Sequence, residues 1–178
     1  GGDTAFVQIV GSHTNVVRIE KNGEVLLNKP FYEEAAQPPE SRRSLTVEDI
    51  IAFADEVDLD DVRAPIARQI EYNTAIAEAG LTGQYGAAIG KILLDSYGDS
   101  VQNRAKAWAA AGSDARMNGC EKPVVINSGS GNQGMTSSIP VIVYAREMGM
   151  TQDALYRALV VSNLVTIHLK TGIGILSA

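Results

Sequence analysis

Cysteine occurs once in the 178 residues, as Cys120, and histidine only twice, as His13 and His168. A single cysteine excludes an internal disulfide framework. With two histidines beside it, no metal site of the usual Cys/His spacing can be built from this chain alone. The free thiol fits a reducing, cytoplasmic setting. No block of lysine or arginine interrupts the net charge of −6, so nucleic acid is not an expected partner. Arg42-Arg43 reads as solvated surface. The apolar runs stop far short of the roughly 20 residues a spanning helix needs, so no membrane partner is expected. Against these absences, 45% of the residues are hydrophobic and 20% charged, which is enough apolar material for a core.

The order of elements reads as α+β. Ala5 to Val10 and Val16 to Glu20 carry β-branched residues at strand spacing, and Val25-Leu26-Leu27 follows a Lys21-Asn22-Gly23-Glu24 turn. Asn22-Gly23 signals a type I′ hairpin. Two or three strands make a poor independent unit, so this sheet is expected to be completed by other strands. Residues 1–44 are therefore a partial β segment and a linker, broken by Pro30, Pro38 and Pro39. Residues 45–178 read as a mainly helical body. Ser44 or Thr46 caps its first helix, and a second starts at Asp58 to Asp61 and closes near Gly80. Further helices hold Ile89, Ile92 and Leu93, then Val101 to Met117, then Met135 to Met148, then Gln152 to Lys170. Alanines at 105, 107, 109, 110 and 111 predict a closely packed interior. The closing Thr171–Ala178 is apolar and glycine-rich, which reads as the interior of a longer enzyme truncated at its C-terminal end. The unfinished sheet and that apolar end predict surface seeking a partner, a homo-oligomer among the options.

The richest segment is Asn127-Ser128-Gly129-Ser130-Gly131-Asn132-Gln133-Gly134, placed between the apolar run Val124-Val125-Ile126 and a helix. Small residues leave backbone N–H groups accessible, and a helix behind them adds the positive end of its dipole. Ser128, Gly129, Ser130, Gly131, Asn132, Gln133 and Gly134 are thus suited to a carboxylate or phosphate. With no Gly-Lys-Ser or Gly-Lys-Thr, this is not a Walker loop, and it lacks the Rossmann spacing. The bland alternative is a tight turn whose glycines answer only a demand for positive φ. Asp114 and Arg116, just before Gly119-Cys120, can close a helix end and fix the following loop, or can be ordinary surface charges. Cys120 itself can be a thiolate, a ligand or a small buried hydrophobe, the last being usual for a lone cysteine. Asn163, Thr166, His168 and Lys170 interrupt the apolar last helix. Lys170 has an ordinary explanation at a helix C-terminus, and a base for proton abstraction is the other reading. Glu71, within Gln69-Ile70-Glu71-Tyr72-Asn73, reads as helix surface.

Taken together, Ser113–Cys120, Asn127–Gly134, Leu155–Leu159, Lys170–Gly174 and Leu176-Ser177-Ala178 resemble the serine dehydratase-like, L-cysteine desulfidase family. His13-Thr14-Asn15, the Glu20 to Val25 hairpin and Arg68–Asn73 resemble it too, so the likeness covers nearly the whole chain. The resemblance implies a lyase converting L-cysteine or L-serine to pyruvate and ammonia. A base removes the α-proton, the β-substituent leaves as sulfide or water, and the enamine hydrolyses. It also implies a 4Fe–4S cluster in the intact parent, with its cysteines in segments outside this chain, so that this fragment alone is inactive. In that scheme Ser128 to Gly134 hold the substrate carboxylate, Lys170 is the acid–base candidate, and Asp114 and Arg116 order the site from behind. The alternative is a non-catalytic binding module for a small carboxylate metabolite.

Overall fold

In the computed structural model, which describes residues 2–11, 14–31 and 44–171, Asn22 and Gly23 both take positive φ, 53° and 84°. That is the requirement of a type I′ turn, whose twist matches that of the strands it joins. It links β2 (Val16–Lys21) to β3 (Glu24–Asn28), and β1 (Ala5–Ile9) pairs on the other side of β2, so the order is β1-β2-β3 and every pairing is antiparallel. The Asn22 side chain secures the turn by accepting from the Thr4 backbone N–H at 2.7 Å. The register sets Val7, Ile19 and Leu27 abreast on one face and Phe6, Glu20 and Val25 on the other. Phe6, Val7 and Val25 are about half exposed, whereas Val17 is buried. The strands lie in a first unit, residues 1–37, distinct from a second, residues 38–178. His13 and residues 172–178, which carry part of the family resemblance, lie outside the described residues.

The second unit holds six helices among the described residues: α1 (Val47–Glu56), α2 (Leu59–Thr82), α3 (Ile89–Tyr97), α4 (Val101–Met117), α5 (Gly131–Glu147) and α6 (Gln152–Lys170). Their starts are written in local chemistry. Thr46, Asp58, Ser100, Ser130 and Thr151 each cap a helix by accepting a first-turn N–H, the exchange that satisfies otherwise orphaned donors. The end of α1 is finished from a distance, with Arg157 of α6 donating to the carbonyls of Ala54 and Asp55 at 2.5 and 2.8 Å. The architecture is α+β with a mainly helical body. Two boundaries differ from the sequence reading. Helix α2 runs past Gly80 to Thr82, with Gly83 as its C-cap. Helix α5 begins at Gly131, so the second half of the glycine segment is its first turn and not loop.

The core lies between α2, α4, α5 and α6. Ile76, Ala77, Ala115, Met135, Ile139, Ile142 and Leu159 are almost wholly buried there. Close backbone approach explains the small residues: a Cβ on Gly80 would stand 2.1 Å from the Ala111 carbonyl oxygen. Helices α2 and α4 can touch at that point only because one of them has no side chain there.

Candidate functional site

The segment after Gly119 runs without regular structure to Ile126, and then reverses sharply. Asn127 and Ser130 bond to each other in both directions, N–H to O at 3.1 and 3.0 Å, around Ser128 and Gly129. Both central residues take positive φ, 49° and 84°. For Gly129 this is free, but for Ser128 the left-handed region carries a cost of order 1 kcal/mol. The positive-φ explanation therefore accounts for one of the segment's three glycines. The other two answer close approach. A Cβ on Gly134 would meet the Val125 carbonyl oxygen at 2.1 Å, and one on Gly131 would meet the Arg116 guanidinium at 2.3 Å.

Immediately after this turn α5 starts, capped by Ser130, whose hydroxyl accepts from the Gln133 N–H at 3.4 Å. The first-turn N–H groups of Gly131 and Asn132 have no acceptor within the helix, and the dipole of a 17-residue helix stands behind them. Ser130, Gly131 and Gly134 are buried, Gly129 is exposed, and Ser128, Asn132 and Gln133 are half-buried. With the Gln133 amide oriented to satisfy both its ends, its nitrogen donates to the Asn127 carbonyl at 3.2 Å. Its oxygen then accepts from Lys170 Nζ, also at 3.2 Å. Lys170, at the C-terminus of α6, is only 6% exposed, so a buried ammonium is held against the first turn of α5.

Arg116 and Asp114 part company. Arg116, from the last turn of α4, lies over Gly131 and donates to Asn132 Oδ1 at 3.2 Å, so a second cation faces the same helix start. Asp114 turns to the α3 end. Its carboxylate accepts from the Ile89 N–H at 3.2 Å and from Asn118 Nδ2 at 3.0 Å. It supplies from α4 the cap that Ala88, in the left-handed region, cannot provide for α3. Cys120 is partly buried beside Tyr85. The tyrosine's phenol is raised above its ordinary value, first by its hydrogen-bonding and electrostatic interaction with Cys120, then by burial and by Glu121. Glu71 is exposed, as its helix position predicts.

A framework of buried amides holds the turn. Asn73, fully buried on α2, accepts from the Val125 N–H at 2.8 Å, and its own N–H₂ donates to the Val125 carbonyl at 3.2 Å and to Ser138 Oγ at 3.0 Å. Ser138 in turn donates to the Gly134 carbonyl at 2.6 Å. Gln69, one turn earlier and 2% exposed, forms a reciprocal amide pair with Asn163 of α6, at 3.0 and 2.8 Å. Asn163 also accepts from Asn127 Nδ2 at 2.8 Å. Gln69 and Asn73 were not among the site residues expected from sequence. The signal for them is their spacing: with Ile66, Ile76, Ala77 and Gly80 they lie on the buried stripe of α2, where an amide needs a partner.

Among the described residues no group of three or more His, Cys, Asp or Glu side chains could hold a metal ion. Nor do they fit an iron–sulfur cluster, since they offer one thiol where three are needed. A cavity of about 360 Å³ lies elsewhere, between the C-terminal half of α5 and the N-terminal half of α6. Pro140, Tyr144, Met148, Met150 and Leu155 line it, with almost no polar atom to orient a reactant.

Residues 12–178 match the model of the serine dehydratase alpha chain. The chain belongs to that family. Among curated proteins it is 57% identical over 172 residues to a UPF0597 protein of Desulfitobacterium hafniense, covering 97% of this chain and 40% of that protein. It is 49% identical to a UPF0597 protein of Lachnoclostridium phytofermentans over 178 residues, covering 100% of this chain and 42% of the relative. A UPF0597 protein of Treponema denticola is 49% identical over 183 residues, 99% of this chain and 42% of the relative. The chain thus spans about two fifths of the length of these relatives. No solved structure matches it. No described helix is long and apolar enough to cross a membrane.

Proposed function

We propose that this family member belongs to an amino-acid lyase that converts L-cysteine or L-serine to pyruvate and ammonia, releasing sulfide or water. In this reading the chain supplies the site for the substrate carboxylate. The observation that carries it is the buried start of α5, where the N–H groups after Ser130 are flanked by Lys170 through Gln133 and by Arg116 through Asn132. A carboxylate seated there receives charge-assisted hydrogen bonds from backbone donors already fixed in place. Fixing the carboxylate orients the adjacent Cα–H bond for removal, and preorganised donors strengthen as charge develops toward the carboxylate. Lys170 is the acid–base candidate on this side, being a buried lysine that reaches the carboxylate-binding turn through Gln133. A 4Fe–4S cluster, which would favour departure of the β-substituent as a Lewis acid, would require thiolates beyond the described residues.

The test is pyruvate formation from L-cysteine and L-serine by the whole protein, purified without oxygen, with this chain assayed alongside. Turnover by the whole protein and none by the chain is the expected result, and the substrate ratio names the activity. Lys170→Met in the whole protein should then lower turnover by about 100-fold or more while leaving KM nearly unchanged. Failure of an iron-replete whole protein to turn over either amino acid would overturn the lyase reading and favour a binding module.

A further inference from the structure

We propose that Asn127 presents its side-chain oxygen to the α-ammonium group of the substrate, and that Asn163 is the positioning residue that keeps it facing that way. The inference rests on the reading of Ser128–Gly134 as a carboxylate site. It begins from an amide whose orientation is not free. Asn163 Nδ2 donates to the Leu159 carbonyl at 2.8 Å, and a backbone carbonyl can only accept. The other end of Asn163, its Oδ1, must therefore be the atom that meets Asn127, and it meets Nδ2 at 2.8 Å. Asn127 Nδ2 also donates to the Asn163 backbone carbonyl at 3.2 Å, again a pure acceptor. Gln69 completes the lock by pairing with both ends of the Asn163 amide. Two acceptors thus hold the Asn127 nitrogen, and its oxygen is left without a donor among the described residues.

That oxygen is buried in a residue 4% exposed, and no donor reaches it among the described residues. A buried amide oxygen without a donor is unfavourable, and what it lacks is a donor and not another acceptor. An α-amino acid carries a donor of the right charge one carbon away from its carboxylate. Asn127 also adjoins the start of α5, being bonded in both directions through its backbone to Ser130, the cap of that helix. A ligand with the carboxylate alone fills half of this arrangement and leaves the oxygen unpaired. A site built around a hydrogen bond discriminates strongly against the ligand that cannot make it.

L-alanine and propionate differ at the α-carbon by the ammonium group alone, and neither has a β-substituent to lose. Calorimetric titration of the whole protein, purified without oxygen, should show L-alanine binding at least about tenfold more tightly than propionate. In Asn163→Leu the preference should shrink to within about threefold while propionate affinity is kept, which also shows that the variant is folded. Asn163→Asp still accepts from Asn127 Nδ2 and should retain the preference. Equal binding of the two ligands by the unsubstituted protein overturns the Asn127 assignment and leaves the carboxylate site standing. Binding of neither ligand overturns both. A preference unchanged in Asn163→Leu removes the positioning role.

Discussion

The antiparallel pair α5 and α6 ends in two different kinds of surface. At one end, the first turn of α5 and the last turns of α6 bring together Asn127, Gln133, Asn163 and Lys170, all engaged in hydrogen bonds and mostly buried. At the other, Tyr144, Met148, Met150 and Leu155 surround an apolar hollow of about 360 Å³, and Met148 is 69% exposed. The apolar end has space but almost no polar group to orient a ligand. The cramped end has directional groups in fixed positions. Volume alone is a poor guide to a reactive site, because chemistry needs donors and acceptors that are already aimed.

If the polar end is the rigid one, substitutions there should cost stability in proportion to the backbone they displace. The largest effect is expected at Gly134. A Cβ 2.1 Å from the Val125 carbonyl oxygen cannot be relieved by a side-chain rotation, so Gly134→Ala should destabilise by about 3 kcal/mol or more in urea unfolding. Asn73→Ala comes next. It strips partners from both polar groups of Val125 and from Ser138, with an expected loss of about 2–3 kcal/mol by the same measurement. Gly131→Ala sharpens the contrast, since its clash is with the flexible Arg116 side chain. It should cost at most about 1 kcal/mol while displacing Arg116 from Asn132, visible as weaker carboxylate binding. Met148→Ala, at the apolar end, should change stability by no more than about 0.5 kcal/mol and leave carboxylate binding alone. Equal losses for Gly134→Ala and Met148→Ala would break the comparison.

Much of the helical frame could be read from the chain because its signals are local. Thr46, Asp58, Ser100 and Thr151 each announce a helix a residue ahead of it, and the Asn22-Gly23 turn needs nothing beyond its own two residues. The start of α5 was misplaced because glycine reads locally as loop, whereas Gly131 and Gly134 are small on account of Arg116 and Val125, residues brought close by folding. The same distinction governs the polar groups. Ser128 to Gly134 stood out by composition, but the amides that brace them are spread over α2 and α6, from Gln69 to Asn163. Asp114 and Arg116 are two residues apart, yet they serve the starts of two different helices, α3 and α5. Sequence proximity could not separate them.

Asn73 offers both a donor and an acceptor to the backbone of Val125, which is how a neighbouring β-strand would treat that residue, although no strand is there. One side chain on a helix therefore sets the register of the apolar stretch leading into the turn. Moving the stretch by a single residue would bring Val124 or Ile126 to that amide and shift the turn by about 3.3 Å along the chain, away from the start of α5. Substitutions in Val124–Ile126 that preserve apolar character should thus be easier to accommodate than any insertion or deletion within it, because what Asn73 reads is position and not side chain.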